Sequence, residues 1–344
     1  MRRIEEAQAL QLAEALLVAA GMRDGPARVV ARHLVDASLR GVDGHGLARL
    51  PRYLTDLAEG RVEAAAQPEV AWVHDAIMQV TGKGGLGIPA LQLAAERLGP
   101  LAHERGIAAA AVVDVGHTGR IGRYVESLAQ SGCFAFAFGG GGYQQGGTVA
   151  PHGGRDALLG TNPYAMALPG GALGPVVVDF ATATLAEGKL ALAKAHGTEL
   201  PDESVLDAEG QPTRSAADFY QGGAILPAAG PKGYGMALIA ELIGCALIGR
   251  PKEFNWLLVA LDLARFRTPS AFAAAAEDCL QAVKAVPPRD GFDSVALPGE
   301  LERAILAERR AQGLPLDAVL EAALSIEASR LGIAIGDFLP EAAA

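Results

Sequence analysis

Apolar residues recur at helical spacing in three short runs between Arg2 and about Gly60. The first ends near Gly21, the second starts after Gly25 and Pro26, and the third runs through LARLPRYLTDLAEG. Residues 68–81 and the run Ala108–Val113 have strand composition, and a helical pattern after GKGGLG (Gly82–Gly87) separates them. Gly116, Gly119 and Gly122 loosen a turn around His117, and YVESLAQSG then reads as an amphipathic helix stopped by Gly132. FAFAF is a strand leading into GGGGYQQGG, expected to be a flexible segment from Gly139 to Gly147. VVVDF is a buried strand ending in Asp179, and residues 194–230 form a polar excursion with one turn at DAEGQP. PKGYGMALIAELIGCALIG reads as a strongly apolar helix and FNWLLVALDLARF as a buried strand. Residues 269–338 are mainly helical, interrupted by a short strand that ends in Pro298, Gly299 and Glu300.

At 344 residues with half of them apolar, the chain can bury a large core. Its composition shifts near residues 76 and 266, which predicts an N-terminal helical part (1–76), a central core (77–265) and a C-terminal mainly helical part (266–344). The net charge of −10 argues against a nucleic-acid partner. Apolar stretches are interrupted before the roughly 18–20 residues a membrane span needs, and MRRIEEAQALQ has no signal-peptide pattern, so no membrane partner and a cytoplasmic location are expected. The three cysteines, Cys133, Cys245 and Cys279, lie far apart in apolar contexts and read as free thiols. None of the seven histidines shows HxxxH or HxH spacing, so no metal site is expected.

His117 sits where a strand hands over to a helix, the rim position at which α/β folds bind ligands, and imidazole suits proton transfer there. The same residue in a purely structural role would cap the helix. In GVDGHGLARL, His45 and Arg49 lie four apart, and a helix beginning at Gly46 would put them on one face. An arginine beside an imidazole can hold a carboxylate and move a proton; a loop histidine beside a solvated helix terminus is the plainer alternative. Asp179, followed by ATAT, can face a cofactor or cap a helix through Ala181 or Thr182. Lys232 and Gly233 open a helix and can form an anion site. GKGGLG is a literal GxGxxG, but about 20 residues on the chain has His103 and Glu104 within a helix, where a dinucleotide fingerprint wants an acid at a strand end.

The ordered set GVDGHGLARLPRYL, GHTGRIGRY, APHGGRDALLGTNPYAMALP, VVVDFATATLAEGK, LPAAGPKGYGMAL and VALPGE resembles the type-2 malate/L-lactate dehydrogenase family over most of the chain. GHTGRIGRY and HGGRD look most like its hydroxycarboxylate dehydrogenase branch. The resemblance implies an α/β fold with a mixed sheet packed between helices, not Rossmann, whose C-terminal part packs back on the N-terminal part. It implies a homodimer that interconverts a 2-hydroxy acid and a 2-oxo acid with NAD or NADP; cyclic ketimine reduction is the alternative within the family, and a catalytically silent nucleotide-binding homologue the alternative outside enzymes. On these matches His117 and His45 are the proton-transfer candidates, with His117 favoured as base and His45 as its polar partner. Arg49 would meet the carboxylate of a small substrate, with Thr161 and Asn162 shaping the pocket floor. The cofactor would lie along Asp179, Phe180, Ala181, Thr182, Ala183 and Thr184, with Lys232, Gly233 and the turn Pro298, Gly299, Glu300. The chain departs from the family pattern at Gly44, where a serine is usual, in the Gly139–Gly142 run, and between Gly249 and Leu257, where PKEFN replaces a longer loop.

Overall fold

A computed structural model describes residues 2–339. Strand β1 (Arg2–Ile4) precedes helices α1 (Glu6–Ala19), α2 (Asp24–Leu39) and α3 (Leu50–Ala58). The central part then runs β2 (Glu69–His74), β3 (Ile77–Thr81), α4 (Gly87–Arg105), β4 (Ile107–Val113), α5 (Gly122–Gln130), β5 (Cys133–Gly140), β6 (Tyr164–Leu168) and β7 (Val176–Phe180). The excursion holds α6 (Glu187–His196), β8 (Val205–Leu206), β9 (Pro212–Thr213), α7 (Ala216–Phe219) and β10 (Ala224–Ile225). After it come α8 (Pro231–Leu242), β11 (Asn255–Asp262), α9 (Pro269–Lys284), α10 (Glu300–Gln312), β12 (Leu314–Leu316) and α11 (Ala318–Arg330).

Seven strands form one mixed sheet in the order β2-β3-β4-β11-β5-β6-β7. Only β3 and β4 pair in parallel, because α4 carries the chain back over the sheet between them, as a crossover must. On the strands facing α4 and α5 the inward positions are small: Ala108, Ala110, Ala135 and Ala137 leave room for Leu91, Leu98, Val125 and Leu128. The sheet reaches back across residue 76, since β2 pairs with β3 from Glu69 onward. A second core joins the two ends of the chain: β1 pairs antiparallel with β12, and Leu16, Leu34 and Leu54 pack with Leu314, Leu324 and Ala328. The excursion is more ordered than a polar stretch suggests, with a three-stranded sheet β10-β8-β9 and its own core around Leu190, Val205 and Ile225.

Three expectations need correction. The GGGG run is not a flexible segment: Gly139 and Gly140 end β5 and are buried. A Cβ at Gly139 would fall 2.8 Å from the Trp256 ring, and one at Gly140 would fall 2.4 Å from the Ala240 carbonyl oxygen, so glycine is what lets α8 and β11 close on β5. No strand forms before Pro298; the peptide docks through a single bond from Val177 N–H to the Pro298 carbonyl, and Glu300 starts α10. The apolar run is not interrupted early either, because α8 continues through a π turn, Ile243–Ile248, into an 18-residue helical segment of mean hydropathy 1.3. Buried Glu241 ties it down by accepting from Gly141 N–H (3.0 Å) and Tyr143 N–H (2.6 Å), while Leu238, Ile239, Leu242 and Leu247 remain exposed on its other side.

Candidate active site

The site is built around a pair of loops. GKGGLG follows β3 and GHTGRIG follows the parallel β4, so the loops leave the sheet side by side. They continue to pair: Gly84 N–H donates to Asp114 O, Gly116 N–H to Gly85 O, and Gly87 N–H to His117 O, all between 2.9 and 3.0 Å. A Cβ on Gly82 would lie 2.4 Å from Val115 Cγ1, and one on Gly87 2.6 Å from Gly116 O. The glycines of the fingerprint therefore admit a neighbouring protein backbone where a dinucleotide fold would admit pyrophosphate.

His117 keeps one half-buried edge, and its ring is oriented by two donors on one nitrogen. Tyr53 Oη lies 2.6 Å from Nδ1, and Gly119 N–H donates to the same atom at 3.2 Å. A backbone N–H can only donate, so Nδ1 carries the lone pair and the neutral ring holds its proton on Nε2. Burial pushes the His117 pKa well below the usual imidazole value, and the positive charge of Arg49 and neighbouring His45 act in the same direction. Tyr53, fully buried, is pushed well above the usual phenol value by burial, so it stays a protonated donor.

His45 and Arg49 do reach the site, but not on one α-helix. Asp43–His45 and Leu47–Arg49 are two 3₁₀ turns ahead of α3. They bring the His45 ring to 5.7 Å from that of His117, 21° from parallel. The polar partner of His117 is therefore Tyr53, not His45, which stacks against it. Burial, then Arg49 and Arg120, lower the His45 pKa to about 4. Arg49 has no carboxylate within 4 Å among the described residues, and its Nε is buried without a hydrogen-bond partner. A guanidinium left so is prepared for an anion.

Support comes from residues that neither motif nor spacing singled out. Buried His33 accepts from Arg120 N–H at Nε2 (2.8 Å), and its Nδ1 lies 3.3 Å from Tyr124 Oη, which donates to Thr118 O (2.8 Å). This chain of bonds holds both sides of the His117 turn. Beneath it Arg40 joins Asp36 and Glu126 (both 3.1 Å), and Arg123 joins Asp36 (3.1 Å), clamping α2 to α5. Tyr53 carried a usable signal, lying four residues beyond Arg49. His33 carried none, since 84 residues separate it from His117 (117 minus 33).

The residues expected along the cofactor divide. Asp179 is a cap, but for α5 and not through Ala181 or Thr182: its Oδ2 accepts from Gly122 N–H at 2.6 Å. Its carboxyl keeps a solvent-facing edge in a crowded cleft, and burial raises its pKa against the pull of that N–H and of Arg120. Thr182 and Thr184 spend their hydroxyls on backbone carbonyls of Thr161, Asn162, Ser204 and Leu226, and Ala183 is buried in a bridge to Pro227. A Cβ on Gly233 would strike the carbonyls of Ala228 and Thr182, so this glycine serves packing. Lys232 is exposed at the first turn of α8 with no carboxylate within 4 Å among the described residues, and the Phe180 ring is exposed beside Tyr164. These two side chains fit a nucleotide's phosphate and a ring face. Glu300 does not: its carboxylate pairs with Lys284 and accepts from Leu297 N–H. Asn162 is corrected as a substrate contact, because it is fully buried and its amide donates to Ala237 O and Glu241, both at 2.9 Å. Thr161 is half-buried beside it.

The sequence signature of the malate/L-lactate dehydrogenase family matches residues 4–325. The chain is 40% identical, over 72% of its length and 73% of the relative's, to a (2R)-3-sulfolactate dehydrogenase (NADP(+)) of Chromohalobacter salexigens. It is 31% identical to hydroxycarboxylate dehydrogenase B of Escherichia coli K12, over 91% of this chain and 90% of that one. Its fold superimposes on the crystal structure of a Δ1-piperideine-2-carboxylate reductase from Pseudomonas syringae with a TM-score of 0.86 and 28% identity, covering 95% of this chain and all of the other. The chain belongs to the malate/L-lactate dehydrogenase family of oxidoreductases.

Proposed function

We propose that this protein interconverts a 2-hydroxy acid and a 2-oxo acid by hydride transfer to and from NAD or NADP. The observation that carries the reading is Arg49, a guanidinium without a partner carboxylate among the described residues, next to two neutral imidazoles. A substrate carboxylate on Arg49 would place the adjoining oxygen toward the His117 and His45 rings. In reduction the oxygen of the oxo acid takes a proton as charge grows on it; a His117 ring protonated on both nitrogens would give that proton from Nε2 and be left neutral. In the oxidative direction Nε2 must be bare, which moves the ring proton to Nδ1. Tyr53 allows this because a hydroxyl can turn from donor to acceptor, whereas Gly119 N–H cannot. His45, whose ring nitrogens make no hydrogen bond within the described residues, is the second proton-transfer group.

When bound, the nicotinamide coenzyme supplies or takes the hydride. Lys232 would hold its phosphate, and Asp179 and Phe180 would line the cleft beside it. Reduction of a cyclic imino acid by the same clamp is the second reading, favoured by the likeness to the piperideine-carboxylate reductase. The exposed apolar side of α8 supports a homodimer, which light scattering would test. Oxidation of NADH or NADPH on addition of 2-oxo acids tests the reading as a whole.

A further inference from the structure

The strap PKEFN, which stands where a longer loop is usual, brings a carboxylate beside the His117 turn. Gln145 Nε2 donates to Pro251 O at 2.7 Å, Asn255 Nδ2 to Gly249 O at 2.7 Å and to Gly244 O at 3.0 Å, and Lys252 Nζ to Gly84 O at 2.7 Å. Between these anchors Glu253 is held against the His117 turn: a methyl built on Gly116 would lie 3.5 Å from Glu253 Oε1. The side chain is exposed, accepts no hydrogen bond and has no cation within 4 Å among the described residues. Its cationic neighbours are Arg49, Arg52 and Lys252. Lys252 is turned to Gly84, and Arg52 pairs with Asp56 at 2.9 Å, an acid that also faces Glu253. Partial desolvation against the packed turn and the like charge of Asp56 raise the Glu253 pKa, against the pull of Lys252, Arg49 and Arg52. Asp179 differs in being engaged by Gly122 N–H.

We propose that Glu253 determines specificity by turning away substrates that carry a second anionic group, so that the site takes acids with a single carboxylate. This rests on the assignment of Arg49 as the carboxylate clamp. A substrate anion drawn to Arg49 sits beside the same turn that Glu253 touches. A further carboxylate or sulfonate on its distal carbons therefore meets a like charge, which the Lys252 ammonium, bonded to the Gly84 carbonyl, offsets only in part. The relative named for sulfolactate acts on a molecule with both kinds of anion, and the difference assigned here is one of substrate charge.

The test compares two four-carbon acids, malate and 2-hydroxybutyrate, which differ in a distal carboxylate. Their binding is measured by titration calorimetry on the wild type and on Glu253→Gln, alongside turnover of oxaloacetate and 2-oxobutyrate. The variant changes charge at nearly constant shape and removes no hydrogen bond. The wild type should favour 2-hydroxybutyrate, and the affinity ratio of malate to 2-hydroxybutyrate should rise about tenfold in the variant. An unchanged ratio, or a wild type that binds both acids equally, overturns the proposal. Binding that follows the expected ratios without turnover of any oxo acid would leave the charge filter standing and remove the dehydrogenase reading. Failure of either acid to bind would remove both.

Discussion

Tyr53 Oη stands 2.6 Å from His117 Nδ1, from a helix of the N-terminal core to a loop of the central sheet. The contact sets what the imidazole can do, because it shares Nδ1 with a donor that cannot reverse. Tyr53→Phe keeps the aromatic packing and leaves Gly119 N–H on Nδ1. We expect kcat to fall roughly 10- to 100-fold with KM little changed and a melting temperature close to wild type. An unaltered kcat would reduce Tyr53 to a packing residue.

Arg49→Lys keeps the charge and loses the planar fork. KM for acid substrates should rise, and kcat/KM should drop by roughly 10- to 150-fold, the worth of one charged hydrogen bond. Steady-state kinetics on any accepted acid checks this; an unchanged KM would take Arg49 out of the site.

The depressed histidines set the pH behaviour. Oxidation needs a neutral base, and His117 lies well below 6.5 with His45 at about 4, so kcat/KM for a hydroxy acid should stay level from pH 8 to below 6.5. A fall centred near 6.5 would contradict the burial of these rings. The same shifts couple to folding. His33, His45 and His117 bind protons more readily in the unfolded chain, so the stability they contribute is present above about 6.5 and is lost as pH falls through their folded values. Thermal melts between pH 7.5 and 5 should show the loss, and Tm that does not fall would contradict it.

Gly119 has φ +70°, and a Cβ there would lie 2.2 Å from His33 Nε2. Gly119→Ala should therefore cost at least about 2 kcal/mol, a drop in Tm of roughly 3 °C or more. A melt equal to wild type would mean that the loop has room the structure does not show.

Periodicity made the strands and main helices readable, and the i,i+4 pair His45 and Arg49 pointed to the site even though the backbone between them is 3₁₀ and not α. What stayed hidden was long-range. The His33–Tyr124–Thr118 chain depends on α2 meeting α5, which no local pattern encodes. GKGGLG lacks the acid that a dinucleotide fingerprint needs, which the sequence does show; that the partner of its glycines is the His117 loop is visible only once β3 and β4 are paired. Asn162 and Glu300 entered the site through the family resemblance, which carries a residue's position and not its burial or its partner.

The most direct test of the central claim is the absorbance of reduced nicotinamide, followed with purified wild type and His117→Ala, a panel of 2-oxo acids and one cyclic ketimine. The wild type should oxidise NADH or NADPH with at least one oxo acid, and the variant should lose this while coenzyme still binds. Wild-type protein that binds coenzyme but turns over no oxo acid, or a variant as active as wild type, would contradict it.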